Sequence, residues 1–312
     1  MMISSGSPRR PIELSLPKIW KWPTSIVPLF LGLFAGAFSL SAQPLQPQFA
    51  SGINLVEVYA TVTDRDGQPV TGLTAADFEV AEDNVPQPIT TFAAGEFPLS
   101  ITIALDRSFS MAGQRLALSK QAARSFIAAL KPSDEVMVLA IGSDVETITP
   151  PSPASEAAAT RWEAIEAWGT TPLYDASIDA LDAIQARRGR RALLLISDGF
   201  DRDSRTTATE LMTRARQSGV LVYPVAIGKT RPPLFSELAT VTGGRSFFID
   251  DPKRLESQLA ILARELRSQY LLGYAPREPS GAGAEWRSIQ VTVSRPDARD
   301  LRVRARDGYF SR

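Results

Sequence analysis

The chain has 312 residues, balances 34 Lys and Arg against 34 Asp and Glu, and contains neither Cys nor His. Disulfides, thiolate nucleophiles, Cys-based zinc sites and a lipid-modified N-terminal Cys are therefore excluded, as are Ser-His-Asp hydrolysis and zinc held by His. Zero net charge removes any bulk pull toward nucleic acid or anionic lipid, and 44% apolar with 22% charged residues is the balance of an ordinary globular protein of one large or two smaller domains.

Arg9, Arg10, Lys18 and Lys21 precede an uncharged apolar stretch from Ile26 to Leu40, and small residues follow at Ser41 and Ala42. The pattern predicts an export signal over residues 1–42, cut after Ser41 or Ala42, or an uncleaved membrane anchor over 24–42. An exported chain of this kind is periplasmic, secreted or held at the cell surface. Without residues 1–42 the balance is 30 basic against 33 acidic residues, mildly acidic. Residues 43–51, with their Pro and Gln, read as a linker.

Residues 52–96 have a β pattern. Val56, Val58, Ala60 and Val62 alternate with more polar positions, Asp64-Arg65-Asp66-Gly67 makes a tight turn, and Phe78 and Val80 begin a second alternating segment. Residues 97–269 change character. Expected strands at Leu99–Leu105, Glu135–Ile141, Ala192–Ser197, Val220–Ile227 and Ser246–Ile249 alternate with expected helices at Arg115–Lys131, Tyr174–Arg187, Thr207–Gln217, Pro233–Thr242 and Pro252–Gln269. Apolar strands alternating with helices predict a doubly wound, mostly parallel sheet covered on both faces. Pro150–Pro153, with three prolines, reads as an exposed loop.

Residues 270–312 return to β. Ile289, Val291 and Val293 alternate with polar residues. Leu301, Val303 and Ala305 do the same, which puts Arg302, Arg304 and Arg306 on the solvated face, and Pro279–Gly283 forms a hairpin loop. Neither flank has enough strands for a core of its own. The flanks are therefore expected to form one small β-sandwich, with the Rossmann-like α/β domain inserted in or flanked by it; two separate β appendages are the alternative.

The chemistry concentrates at Asp106-Arg107-Ser108-Phe109-Ser110, directly after the first apolar strand of the α/β region. A carboxylate and two hydroxyls on a loop at that sheet edge stand where ligands bind in open α/β sheets. Oxygen-only donors suit a hard dication, above all Mg²⁺. Gly169-Thr170-Thr171-Pro172 opens a helix, and Asp198 follows the buried strand that ends at Ser197.

These elements resemble the von Willebrand factor type A domain. Asp106, Ser108 and Ser110 match the family's Asp-x-Ser-x-Ser element, Thr171 its second loop and Asp198 its third. The likeness runs from about Pro98 to Arg267, and the flanks, with Tyr270-Leu271-Leu272-Gly273-Tyr274 and Gly308-Tyr309-Phe310, are similar to those of exported bacterial members. The resemblance implies a metal-ion-dependent adhesion site in which Asp106, Ser108, Ser110, Thr171 and Asp198 hold Mg²⁺ or Mn²⁺. It further implies a partner protein that supplies an acidic side chain, hence a binding module and not an enzyme. A structural envelope protein with a non-functional site, and a Mg²⁺-dependent phosphoryl-transfer enzyme, are the alternatives.

Counting back from Leu173-Tyr174-Asp175-Ala176 favours Thr171 over Thr170. Asp175 reads as a first-turn helix carboxylate and Asp250-Asp251 as the opening of the last helix. Asp201 and Asp203 read as solvated loop acids, and Trp162 and Trp168 as packing residues, Trp168 close enough to flank the site.

Overall fold

The computed structural model describes residues 55–95, 97–276, 284–295 and 298–311. The expected leader over 1–42, the linker over 43–51 and the loop Pro279–Gly283 lie outside the described residues. Strands β1 (Val56–Thr63), β2 (Phe78–Glu82), β3 (Val85–Gln87) and β4 (Thr91–Ala94) come first. The α/β portion then runs β5 (Leu99–Asp106), α1 (Gln114–Ala128), β6 (Glu135–Ile141), β7 (Val145–Pro153), α2 (Ala154–Ala157) and α3 (Leu173–Gln185). It continues with β8 (Arg190–Ser197), α4 (Ala208–Ser218), β9 (Leu221–Ile227), α5 (Pro233–Thr242), β10 (Phe247–Ile249) and α6 (Leu255–Arg267). β11 (Tyr270–Tyr274), β12 (Trp286–Val293), β13 (Arg302–Arg304) and β14 (Gly308–Phe310) follow.

The central sheet has the order β10-β9-β8-β5-β6-β7. It is parallel except for β7 at one edge. Every residue of β5 is buried, because both faces are covered. Leu99, Ile101, Ile103 and Leu105 meet Phe126 of α1 and Leu259 of α6 on one face. On the other, Ala104 with Leu193 and Leu195 of β8 meets Leu181 of α3, Leu211 of α4 and Phe235 of α5. A strand buried on both faces reads as an apolar run, which is the pattern of Leu99–Leu105.

Pro150–Pro153 is not a loop. It ends β7, where Thr149 pairs with Val138 and Ser152 with Val136, so Pro150 and Pro151 fall in the register shift between those pairs. Prolines are tolerated at an edge strand or bulge because no ladder bond is asked of their nitrogen.

Two four-stranded sheets, β13-β1-β11-β4 and β14-β12-β2-β3, form the sandwich. Each draws strands from both flanks, so the α/β portion is inserted between β4 and β11. Its entry and exit are neighbours: Ala94 pairs with Tyr270, and the Gly95 N–H donates to the Gln269 carbonyl at 3.1 Å. Val58, Val62, Phe78, Tyr270 and Leu272 fill the interior.

The arginines expected on one solvated face separate. Arg302 is exposed. Arg304 instead turns to the α/β portion, 2.8 Å from Glu265 Oε2, and donates to the Gly244 carbonyl at 3.1 Å. Arg306 lies over the Tyr309 ring. Alternation along a strand identifies its second face, but not what rests on that face. A further polar junction is at Gln269. Its Nε2 donates to Thr61 Oγ1 at 2.9 Å and Tyr223 Oη at 3.2 Å, and its Oε1 accepts from Arg190 Nη1 at 3.0 Å. Among the described residues no helix is long and apolar enough to cross a membrane.

Candidate metal centre

Asp106 is the last residue of β5, and Asp198 follows the last residue of β8. The two strands are adjacent and pair Leu105 with Ile196. Their ends, and the loop before α3, bring the expected residues to one edge of the sheet. Asp106, Ser108, Thr171 and Asp198 are buried, and Ser110 is exposed at the rim.

Asp106 organises the cluster. Its Oδ1 accepts the Ser108 N–H at 2.8 Å and lies 3.5 Å from Thr171 Oγ1. The Ser108 and Ser110 hydroxyls are 3.0 Å apart. Asp198 Oδ1 accepts the Phe200 N–H at 3.1 Å. Burial pushes the Asp106 carboxyl above its ordinary range; bonds from Ser108 and Ser197 pull it back, and the negative charge of Asp198 raises it further.

Backbone bonds stitch the three loops together. Trp168 N–H donates to the Arg107 carbonyl at 2.7 Å, Phe109 N–H to the Gly169 carbonyl at 3.1 Å and Arg202 N–H to the Thr171 carbonyl at 2.7 Å. Gly169 has φ +78°, and a Cβ there would lie 2.4 Å from Ser143 Oγ. Only glycine fits that approach.

Thr170 is exposed and Thr171 fully buried, so the structure brings Thr171 to the carboxylates and leaves Thr170 outside. Thr171 does not cap α3. Asp201 and Ser204 do so from across the chain: Tyr174 N–H donates to Asp201 Oδ1 at 3.2 Å and to Ser204 Oγ at 3.0 Å. Asp201, read from sequence as a solvated acid, is therefore a half-buried cap, whereas Asp203 is exposed. Asp175, in the first turn of α3, accepts the Arg205 and Thr206 N–H groups at 3.0 and 2.9 Å and is drawn away from the cluster. Asp251 caps the short turn that leads into α6 through the Lys253 N–H at 3.1 Å.

Trp162 is buried in the core, but Trp168 is 45% exposed and lies beneath the Arg107 guanidinium, 5.3 Å from its ring centre. Arg107 in turn pairs with Glu146 at 2.8 Å. Among the described residues the exposed large hydrophobics are Phe109, Trp168 and Phe200. One stands on each loop of the cluster.

Sequence reading missed Ser197, whose Oγ donates to Asp106 Oδ2 at 2.6 Å and accepts the Gly199 N–H at 3.0 Å. The available signal was its place as the last residue of the strand beside β5.

The donor set fits a divalent cation. Among the described residues no Lys or Arg forms an ion pair with Asp106 or Asp198, although both are buried. Buried carboxylates without a cationic partner are strongly disfavoured. Among the described residues no group of three or more His, Cys, Asp or Glu could hold a metal, so a cation here depends on hydroxyl oxygens beside the two acids. That is a hard, oxygen-only donor set of the kind a divalent cation takes.

An open, doubly wound sheet with an acid-and-hydroxyl cluster at the carboxyl ends of its strands defines a class of α/β ligand-binding domain. Residues 101–200 match the family model described as von Willebrand factor type A domain. The α/β portion of this chain is a von Willebrand factor type A domain. No curated protein matches the chain.

Among solved structures, the chain is similar to a von Willebrand factor type A protein from Catenulispora acidiphila. The identity is 14%, the TM-score 0.49, and the match covers 82% of this chain and 72% of that one. It is similar to BatB from Bacteroides thetaiotaomicron at 20% identity and TM-score 0.43, over 55% of this chain and 100% of that one. It is also similar to proximal thread matrix protein 1 from the mussel byssus, solved with a zinc-occupied MIDAS motif. There the identity is 14% and the TM-score 0.50, over 60% of this chain and 50% of that one.

Proposed function

We propose that this protein is an exported, divalent-cation-dependent binding module. Asp106, Ser108, Ser110, Thr171 and Asp198 hold Mg²⁺ or Mn²⁺, directly or through water, and a carboxylate from a partner protein completes the coordination. The observation that carries this reading is the pair of buried carboxylates with no Lys or Arg partner among the described residues, ringed by hydroxyls. The zinc in the mussel protein's motif supports a divalent cation in such a site. The cation-bearing face opens outward among Phe109, Trp168 and Phe200, which suits a protein surface better than an enclosed small substrate. The basic leader and apolar stretch at residues 9–40 support export. Binding is proposed over catalysis because Ser108 stands two residues after Asp106, where a phosphoryl-transfer site would use a second carboxylate, and the chain has no His as general base.

Calorimetric titration with Mg²⁺ and Mn²⁺ tests the reading. Saturable binding at millimolar or lower concentration, lost in Asp106→Ala and Asp198→Ala, is expected. A wild-type chain that takes up neither ion overturns it.

A further inference from the structure

The sandwich meets the α/β portion around a cavity of about 230 Å³. It opens near the start of β8, whereas the carboxylate cluster lies at the other end of that strand, about 20 Å away at 3.3 Å per residue. Arg191, Arg216 and Arg306 line it, with Glu57 and Tyr59 on the β1 wall.

Gly219, at the α4–β9 turn, has φ +62°, and a Cβ there would lie 3.2 Å from Arg191 Nη2 and 3.9 Å from Arg306 Nη1. Two guanidiniums therefore reach toward one point. Among the described residues neither Arg191 nor Arg306 forms an ion pair. Arg306 Nε is buried without a hydrogen-bond partner, and the guanidinium lies over the face of Tyr309. Burial holds its guanidinium below the ordinary value; Tyr274, Tyr309 and the more distant Glu57 carboxylate offset part of that, and the charge of Arg191 adds to it. Arg191 uses Nη1 on the Gln185 carbonyl at 2.9 Å, which leaves Nη2 facing Gly219. Arg216 is engaged with Asp307 Oδ2 at 3.2 Å, yet its Nε is also buried and unpartnered. Glu57 is exposed and accepts from Tyr59 Oη at 3.4 Å. Like charges brought together under cover are costly unless an anion joins them, and forked guanidiniums match the oxygens of a phosphate.

We propose that this cavity is an oxyanion site, in which Arg191 and Arg306 grip a phosphate group, free or as a monoester, with Arg216 closing one side. The site is independent of the metal centre.

The test is a melting-temperature and calorimetric titration of the whole chain with inorganic phosphate and with glycerol phosphate. Sodium chloride at matched ionic strength and acetate serve as controls. Phosphate or its ester is expected to raise Tm saturably while the controls do not. Equal responses to the two identify free phosphate as a sufficient ligand, and a stronger response to glycerol phosphate identifies a monoester. Arg191→Gln and Arg306→Gln are each expected to weaken binding roughly tenfold or more. With no phosphate present, Arg306→Gln is expected to melt at or above the wild type, because a half-buried charge beside Arg191 is gone. If that variant fails to fold, Arg191→Gln carries the test. A response to phosphate no larger than to chloride, or one unchanged in Arg191→Gln, overturns the proposal.

Discussion

Ser197 Oγ donates to Asp106 Oδ2 at 2.6 Å, a bond set by register. Leu105 pairs with Ile196, so the next residues of the two strands stand side by side with their side chains on one face of the sheet. The hydroxyl fixes one carboxylate oxygen while Ser108 and Thr171 approach the other. Ser197→Ala removes this orienting bond and none of the proposed ligands. Mg²⁺ affinity is expected to fall by about 10- to 100-fold, the range for groups that position metal ligands. Calorimetric titration measures it; an unchanged affinity would show that Asp106 is held by other contacts.

Asp106→Asn separates charge from shape. Its carboxyl is buried, and burial raises its pKa above the ordinary range, so the charged form weakens the metal-free fold. In chelator the variant is expected to melt at or above the wild type. With Mg²⁺ at a hundred times the dissociation constant, the wild type gains about 2.7 kcal/mol and the variant gains none. Melting curves with and without Mg²⁺ read both effects; a variant that melts lower in chelator and still responds to Mg²⁺ contradicts them.

Gly169 ties loop conformation to the cluster. Ala at this position meets both the φ of +78° and a Cβ contact 2.5 Å from the Ser143 backbone nitrogen. The left-handed backbone alone costs roughly 1–2 kcal/mol, and relief of the clash shifts the segment that carries Thr171. Gly169→Ala is expected to lose both stability and Mg²⁺ affinity, whereas Thr170→Ala, at an exposed position, is expected to retain both. Paired denaturation and titration of the two variants distinguish these outcomes.

The parallel part of the central sheet was legible because its strands are buried on both faces and therefore mostly apolar, as at Leu99–Leu105 and Ala192–Ser197. The acid-hydroxyl loop was legible because Asp106, Ser108 and Ser110 are close in sequence. β7 was not, because the prolines that usually mark a loop sit in an edge-strand bulge. Asp201 looked like a loop acid because the Tyr174 amide it caps lies 27 residues earlier in the chain. Arg304 looked solvated because its partner Glu265 is supplied by the α/β portion. Each of these depends on contacts distant in sequence, and local pattern carries no record of them. Ser197 falls between the two cases: its position was visible, but its role required the β5–β8 register.

Glu82 provides a control remote from the metal centre. It is buried in the sandwich, pairs with Arg287 Nη1 at 2.7 Å and accepts from Tyr274 Oη and Tyr309 Oη at 2.8 Å each. Glu82→Ala takes the acceptor from both tyrosine hydroxyls and one partner from Arg287, a loss on the order of 3 kcal/mol, with Mg²⁺ affinity in the surviving folded fraction unchanged. The same cluster sets an alkaline limit. Burial, then Glu82, pushes the Tyr309 hydroxyl up to about 12 and raises that of Tyr274 as well. Above the ordinary tyrosine value of 10.0 the unfolded chain releases protons that the folded chain keeps. Stability from these groups is therefore full below pH 10 and falls as pH rises toward 12. Denaturant melts between pH 8 and 12 measure the slope, and Tyr309→Phe is expected to flatten it.

Phe109, Trp168 and Phe200 are 67%, 45% and 50% exposed, one on each loop around the proposed cation. Single exposed aromatics are common, but a group of three around one site marks a contact surface. On the proposed function, a partner would offer its carboxylate between apolar side chains that close over the aromatics and keep water from the coordinated oxygen. A displayed peptide library selected in Mg²⁺ is expected to yield Asp or Glu flanked by apolar residues, with capture lost in chelator. Phe109→Ser with Phe200→Ser, at exposed positions, is expected to leave folding and Mg²⁺ titration unchanged while weakening the selected peptides about fivefold or more, as loss of contacts worth over 1 kcal/mol would do. Trp168 is left in place because its ring carries the Arg107 guanidinium. Peptides with polar flanks, or equal affinity for the double variant, would reduce these aromatics to incidental exposure and leave the carboxylate as the sole basis of recognition.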